Sequence, residues 1–240
     1  MPPRIPLTRP RPKKSQPPAR KPIPVPIERS IDFCRVFVDG TRLPQNFRVA
    51  EAIELVNQRE NAFAWLSLKA PNIEQMERLA ALFDIHDLIV DDIVDAHQRP
   101  KIERYDEQLF MVVRSVHYRD DEEVTDAREI ISTGEVQVVT GPKFAITIRH
   151  NAPMPDLTAS LEEEEEVAQV GPVAVSWVVA NHLVDAYLRV AEYLSQDVDE
   201  LENEVFTPKR QINIDKIYNY KREILEMRHA IDPVSYTHLT

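Results

Sequence analysis

Residues 86–101 read His86-Asp87-Leu88-Ile89-Val90-Asp91-Asp92-Ile93-Val94-Asp95-Ala96-His97-Gln98-Arg99-Pro100-Lys101. The carboxylates of Asp91, Asp92 and Asp95 and the imidazoles of His86 and His97 are crowded around an apolar stripe. If the run is helical, Asp91 and Asp95 stack one turn apart and Asp92 is turned roughly 100° away. Hard oxygen ligands spaced this way suit Mg2+, which keeps several waters and takes one or two carboxylates. Zinc through His86 and His97 fits less well, because their eleven-residue separation with no nearby cysteine departs from the usual ligand spacings. The bland reading is that acids gather in the N-terminal half of a helix, where the dipole favours them.

Two other features bear on chemistry. Asp197, Asp199, Glu200, Glu202 and Glu204 surround an apolar helical seam, and their mutual repulsion would be relieved by cations or a basic surface. The four glycines, Gly40, Gly134, Gly141 and Gly171, are too dispersed for a phosphate-cradling loop. No G-x-S-x-G or recognisable nucleophile pattern occurs, so the chain reads as a non-enzyme. Asp91-Asp92-x-x-Asp95 also fits the D-D-x-x-D pattern of isoprenoid synthases. Strand-like runs follow it at once, however, and aromatics make up only 7% of the chain.

The net charge of −11 conceals a division. Residues 1–29 carry eight Lys or Arg against Glu28 alone, a local +7, and the remainder stands at −18. So acidic a body repels a phosphate backbone and attracts cations, which argues against nucleic acid as a partner. The Pro-rich and Arg-rich residues 1–29 read as a disordered arm without the apolar stretch of a secretory signal. Cys34, the single cysteine, lies in an apolar-alternating run and reads as an inert core thiol in a reducing compartment.

The elements that must position these residues follow from periodicity. A strand ends at Asp39-Gly40, a helix runs from Val49, and a strand carrying Trp65 covers Ala62 to Leu68. Asn72 with Gln75 forms a capping pattern ahead of a helix through Phe83, and a second short helix carries His86 to Val94. Gln108 to Tyr118 is strand-like, and Arg128 to Val139 and Phe144 to Ile148 flank Gly141-Pro142 as a hairpin. Val167 to Val184 is uncharged, but Gly171, Pro172, Asn181 and His182 make it the start of a buried helix rather than a membrane span. Leu183, Tyr187, Val190, Leu194, Val198, Leu201 and Val205 form one seam, and Ile217, Tyr220, Ile224, Met227 and Ile231 another. An α/β domain over residues 30–170 followed by an antiparallel helical hairpin over 171–233 is expected, with 234–240 an atypical tail.

The run from Asp91 to Val113, DDIVDAHQRPKIERYDEQLFMVV, closely resembles the CorA family of magnesium transporters. Similarity extends to Ala64-Trp65-Leu66, to Asp185-Ala186-Tyr187-Leu188 and to DVDELENEVF, covering roughly residues 32–233. The resemblance implies a funnel-shaped homopentamer in the cell (inner) membrane. Each subunit would have an α/β/α sandwich cytoplasmic domain, an acidic hairpin, a stalk helix and two membrane helices joined by a Gly-Met-Asn signature. That signature is not in this sequence. From about Pro233 the chain departs from the family pattern, reading as a truncation or chimera, in which case a soluble regulatory remnant is the alternative. The family's regulatory Mg2+ would be held by Asp92, with Asp91 beside it as a second candidate and a stalk carboxylate beyond residue 240. Another family Asp aligns with Asn181, and Asp95 is a weaker ligand candidate. The transported ion would be Mg2+, with Co2+ or Zn2+ as the choices of related transporters.

Overall fold

The structure, a computed structural model, describes residues 26–94, 98–119, 130–207 and 214–236, with side chains described as far as 231. Asp95, His97 and residues 1–25 of the basic arm lie outside the described residues. The end of that arm is structured: Ile27–Arg29 form a 3-10 turn, and the carbonyl of Pro26 accepts a hydrogen bond from Gln75 Nε2 at 2.9 Å.

Seven strands make one sheet. They are β1 (Ile31–Val38), β2 (Thr41–Arg42), β3 (Ala62–Lys69), β4 (Lys101–Tyr105), β5 (Gln108–Tyr118), β6 (Ile131–Gly141) and β7 (Phe144–His150), in the spatial order β2-β1-β3-β7-β6-β5-β4. Among the described residues only β3 and β7 pair in parallel. Among the described residues seven α-helices accompany them: α1 (Val49–Asn57), α2 (Ile73–Phe83), α3 (Asp87–Val94), α4 (Thr158–Glu163), α5 (Glu165–Ala168), α6 (Val173–Phe206) and α7 (Ile214–Tyr236).

Strand alternation sends side chains to two cores. Ala64, Leu66 and Leu68 of β3 join Val56 of α1, Met76 and Leu79 of α2 and Ile89 and Ile93 of α3 on one face. Phe63 and Trp65, from the same strand, join Leu161 of α4 and Val175, Val179 and Leu183 of α6 on the other. The fold is therefore a mixed α+β sandwich with helices on both faces of the sheet. Cys34 lies in the first core, and burial pushes its thiol up to about 12 despite neighbouring Arg35, as an inert core thiol should behave.

Several expected elements occur with their expected caps. Asn72 Oδ1 accepts from Gln75 N at 2.9 Å while Gln75 Oε1 accepts from Asn72 N at 3.0 Å. Edge strands β2 and β4 were not expected. β4 has a charged, half-exposed pattern because it has a neighbour on one side only, so it lacks the apolar run of a central strand. Helices α4 and α5, of six and four residues, are too short for periodicity to reveal.

The second helical seam also differs from expectation. On α7 the buried positions are Tyr220, Glu223, Met227 and Ala230, while Ile224 is 43% exposed. Glu223, at 0% exposure, turns inward because its carboxylate accepts from the backbone N–H of Ile131 at 3.0 Å. A buried acid is tolerable when it satisfies a donor that would otherwise be orphaned. Along α7, Lys216 Nζ sits 3.1 Å from Glu204 of α6, and Tyr220 shares a core with Val190 and Leu194. Among the described residues no helix is long and apolar enough to cross a membrane.

Candidate functional site

The carboxylate run lies on α3, whose Ile89, Val90 and Ile93 are buried against the sheet. That burial turns Asp91 outward to solvent and leaves Asp92 half-buried at the helix edge, 27% exposed at its side chain. Strand β4 then runs beside this edge. Its residues Lys101, Glu103 and Tyr105 share one face, as the period-two alternation of a strand requires.

These residues converge on a single cation. Lys101 Nζ lies 2.5 Å from Asp92 Oδ2 and 2.8 Å from Glu103 Oε2. Tyr105 donates its hydroxyl to Glu103 Oε2 at 2.8 Å, and Gln98 Nε2 reaches both the Asp92 carbonyl and its Oδ1 at 3.4 Å. The ammonium also stands 5.6 Å from the centre of the Phe110 ring. Burial by itself would lower the Lys101 pKa. The hydrogen bonds to Asp92 and Glu103 outweigh it and hold the ammonium above the ordinary lysine value. The hydrogen bond from Lys101 in turn holds Glu103 below the usual carboxylate range, against burial.

Lys101, Glu103, Tyr105 and Gln98 are the members of this site that spacing along a helix did not single out. The signal was present as Lys-x-Glu-x-Tyr alternation just after Pro100, legible only once β4 is recognised as a strand. The remaining expected ligands lie elsewhere. Asn181 is exposed on α6, on the opposite side of the sheet from Asp92, so the fold does not bring the two together within one chain. His86 is occupied at the start of α3, where its Nδ1 accepts from Leu88 N at 3.2 Å. No group of three or more His, Cys, Asp or Glu side chains among the described residues is gathered for a metal. The acids of α6 are partly partnered: Asp197 accepts from the Tyr118 hydroxyl at 2.9 Å, and Glu204 pairs with Lys216.

What the arrangement can do chemically is hold one positive charge between Asp92 and Glu103. An internal ammonium occupies that position, and a hydrated divalent cation is the natural competitor for it. Two carboxylates are as many as Mg2+ takes from a protein while retaining its waters.

The family described as CorA-like Mg2+ transporter protein matches residues 60–238, three quarters of the chain, and includes the whole of this site. The YfjQ protein of Bacillus subtilis is 24% identical over 184 residues, which are 76% of this chain and 54% of that protein. The cobalt/magnesium transport protein CorA of Thermotoga maritima is 23% identical over 168 residues, 66% of this chain and 44% of that protein. The chain thus spans about half the length of these relatives. Among solved structures, the soluble domain of CorA from Methanocaldococcus jannaschii superposes with a TM-score of 0.57 at 12% identity, covering 85% of this chain and 76% of that one.

Proposed function

Since the chain belongs to the family of CorA-like Mg2+ transporter proteins, we propose that its sandwich domain senses divalent cations, Mg2+ foremost, for an ion-transporting assembly. The observation that supports this reading best is the convergence of Asp92 and Glu103 on one cation position at the edge of α3. In the proposed cycle, abundant Mg2+ displaces Lys101 from Asp92 and bridges to a carboxylate of a neighbouring subunit. Scarce Mg2+ lets the ammonium return, the bridge is lost and the subunits loosen. Binding energy differing between the two states is what shifts such an equilibrium. Asp91, exposed beside Asp92, and Asp95 are secondary ligands in this reading, and Asn181 a position serving a separate contact.

The assembly is a homopentamer in the cell membrane with this domain on the cytoplasmic side. The transported ion is Mg2+, with Co2+ the nearest competitor. The transport role of a relative, the Thermotoga maritima protein, also supports a non-catalytic function. The test is Asp92→Ala in a protein carrying the membrane helices. Protection from proteolysis by millimolar Mg2+ should weaken about tenfold, and current should persist at high internal Mg2+. Unchanged protection overturns the assignment. For the 240-residue chain alone, calorimetry should find binding no tighter than about millimolar, since at most two carboxylates are at hand.

A further inference from the structure

The sheet face opposite Asp92 carries a cavity of about 560 Å³ lined by His117, Arg149, Met154, His182, Ala186 and Arg189. We propose that this cavity binds a phosphate-type oxyanion, either free or as the phosphoryl group of a small metabolite.

Three elements build it. His182, Ala186 and Arg189 recur at spacings of four and three along α6 and so form one stripe of that helix. His117 comes from the end of β5 and Arg149 from the end of β7. The third wall is the segment after β7. Asn151 adopts φ 50 there, and Pro153, Met154 and Pro155 form the rim. That segment passes so close over β6 that a Cβ on Gly134 would lie 2.5 Å from the Asn151 carbonyl oxygen. The rim is therefore pressed onto the sheet at a position only glycine allows.

Among the described residues, the permanent charges lining the cavity are the guanidinium groups of Arg149, which is ion-paired, and of Arg189, which is not. Arg149 spends one amino group on Asp32 and the other on the Met154 carbonyl at 2.8 Å, leaving its Nε buried with no acceptor. The Nε2 of His117 is likewise buried without a partner. Arg189 makes no ion pair among the described residues and acts electrostatically on both histidines. Burial first, and then the field of the neighbouring positive groups, pushes both imidazoles below their ordinary pKa, with Asp185 opposing at His182. Asp32 on β1 is committed to Arg149, and the Pro153-Met154-Pro155 rim adds no charge.

A divalent metal is disfavoured at this position, because the guanidinium groups of Arg149 and Arg189 repel it. An oxyanion instead meets the exposed guanidinium of Arg189 and the half-buried imidazole of His182, with the unpaired Nε of Arg149 and Nε2 of His117 in the wall behind them, and guanidinium is the donor type that recognises phosphate. A cationic cavity in a body of charge −18 runs against the general field of the protein, so it does not follow from composition.

The test is calorimetric titration of the 240-residue chain with inorganic phosphate and, separately, with glycerol 3-phosphate, with ionic strength held constant by sodium chloride. Saturable binding is expected. Arg189→Ala, a change at an exposed position, should weaken it about tenfold, as loss of one charge-assisted hydrogen bond does. His182→Gln should weaken it as well, and Arg78→Ala on α2 should change it less than about twofold. In NMR titrations the imidazole midpoints of His117 and His182 should both rise when phosphate is present. Equal affinity for both ligands identifies the free anion as sufficient, and tighter binding of the ester identifies a metabolite. Absence of saturable binding, or unchanged binding by a folded Arg189→Ala protein, overturns the proposal. Either failure leaves the Asp92 reading intact, since the sheet separates the two sites.

Discussion

The two faces of the sheet treat charge in opposite ways. Beside α3, two carboxylates enclose an ammonium supplied by the same chain, so the cluster keeps a net charge of about −1 and its central position is already occupied by a cation. Beside α6, two histidines and Arg189 face a cavity where, among the described residues, Asp185 is the carboxylate that acts on His182. In the proposed reading the first arrangement acts as a competitive switch, in which binding strength is the difference between two occupants, and the second as a receptor whose position no internal group fills. Under these two proposals one acidic domain would discriminate cations on one side and take up an anion on the other, with the sheet between the two faces.

The largest expected effect breaks the α6 face alone. Gly134→Ala places a methyl group against backbone that cannot swing aside, so the 151–155 rim must lift from the sheet. A loss of roughly 3 kcal/mol in urea denaturation is expected, the scale of serious overpacking. Phosphate binding should disappear with it, while Mg2+ binding by the folded fraction stays as it was. A loss below about 0.5 kcal/mol would show that the rim is not pressed onto Gly134.

A smaller effect probes the α3 face. Lys101→Met leaves Asp92 and Glu103 facing each other without a cation. The expected cost is about 1 kcal/mol, moderated because Glu103 is more than a third exposed to screening solvent. The informative readout is Mg2+ dependence: melting temperature should fall in the absence of divalent cation and recover at millimolar Mg2+, with affinity above that of the unaltered chain. Equal affinity in the two proteins would mean that Lys101 is not the competing cation, and the switch would have to be sought elsewhere.

The sequence made some of this contrast legible and hid the rest for identifiable reasons. Local patterns came through wherever one segment carries its own signal, as with Asn72 and Gln75 at the start of α2 or the Asp39-Gly40 turn after β1. The Asp91-Asp92 pair was visible as chemistry, and the resemblance it carried pointed to the right family. Its counter-cation was harder to see, because Lys101 belongs to an edge strand whose polar alternation looks like loop. Ile224 is a core residue by spacing, yet Glu223 takes the buried position for the sake of one backbone N–H on β6, a demand that no helical periodicity encodes. The α6-side cavity was wholly invisible, since His117, Arg149 and His182 come together only through the order of the strands and the path of α6.

The smallest effect separates the faces by pH. His117 and His182 have pKa values lowered in the folded state, so the unfolded chain binds more protons as pH falls through the ordinary imidazole value of about 6.5. Stability attributable to these residues is therefore present above that pH and declines below it until the folded values are passed. Glu103, also lowered, contributes stability above the unfolded glutamate value near 4.3 and loses it only as pH falls further. The α6 face should thus weaken first on acidification. His182→Gln should flatten the loss between about pH 7 and 5, leaving the decline below 4.5 in place, whereas Lys101→Met should do the reverse. Phosphate sharpens the distinction: an anion that stabilises the imidazolium forms should offset the first loss and leave the second untouched. If phosphate moves both, its action is general screening, and the contrast between an occupied cluster and an unfilled receptor fails.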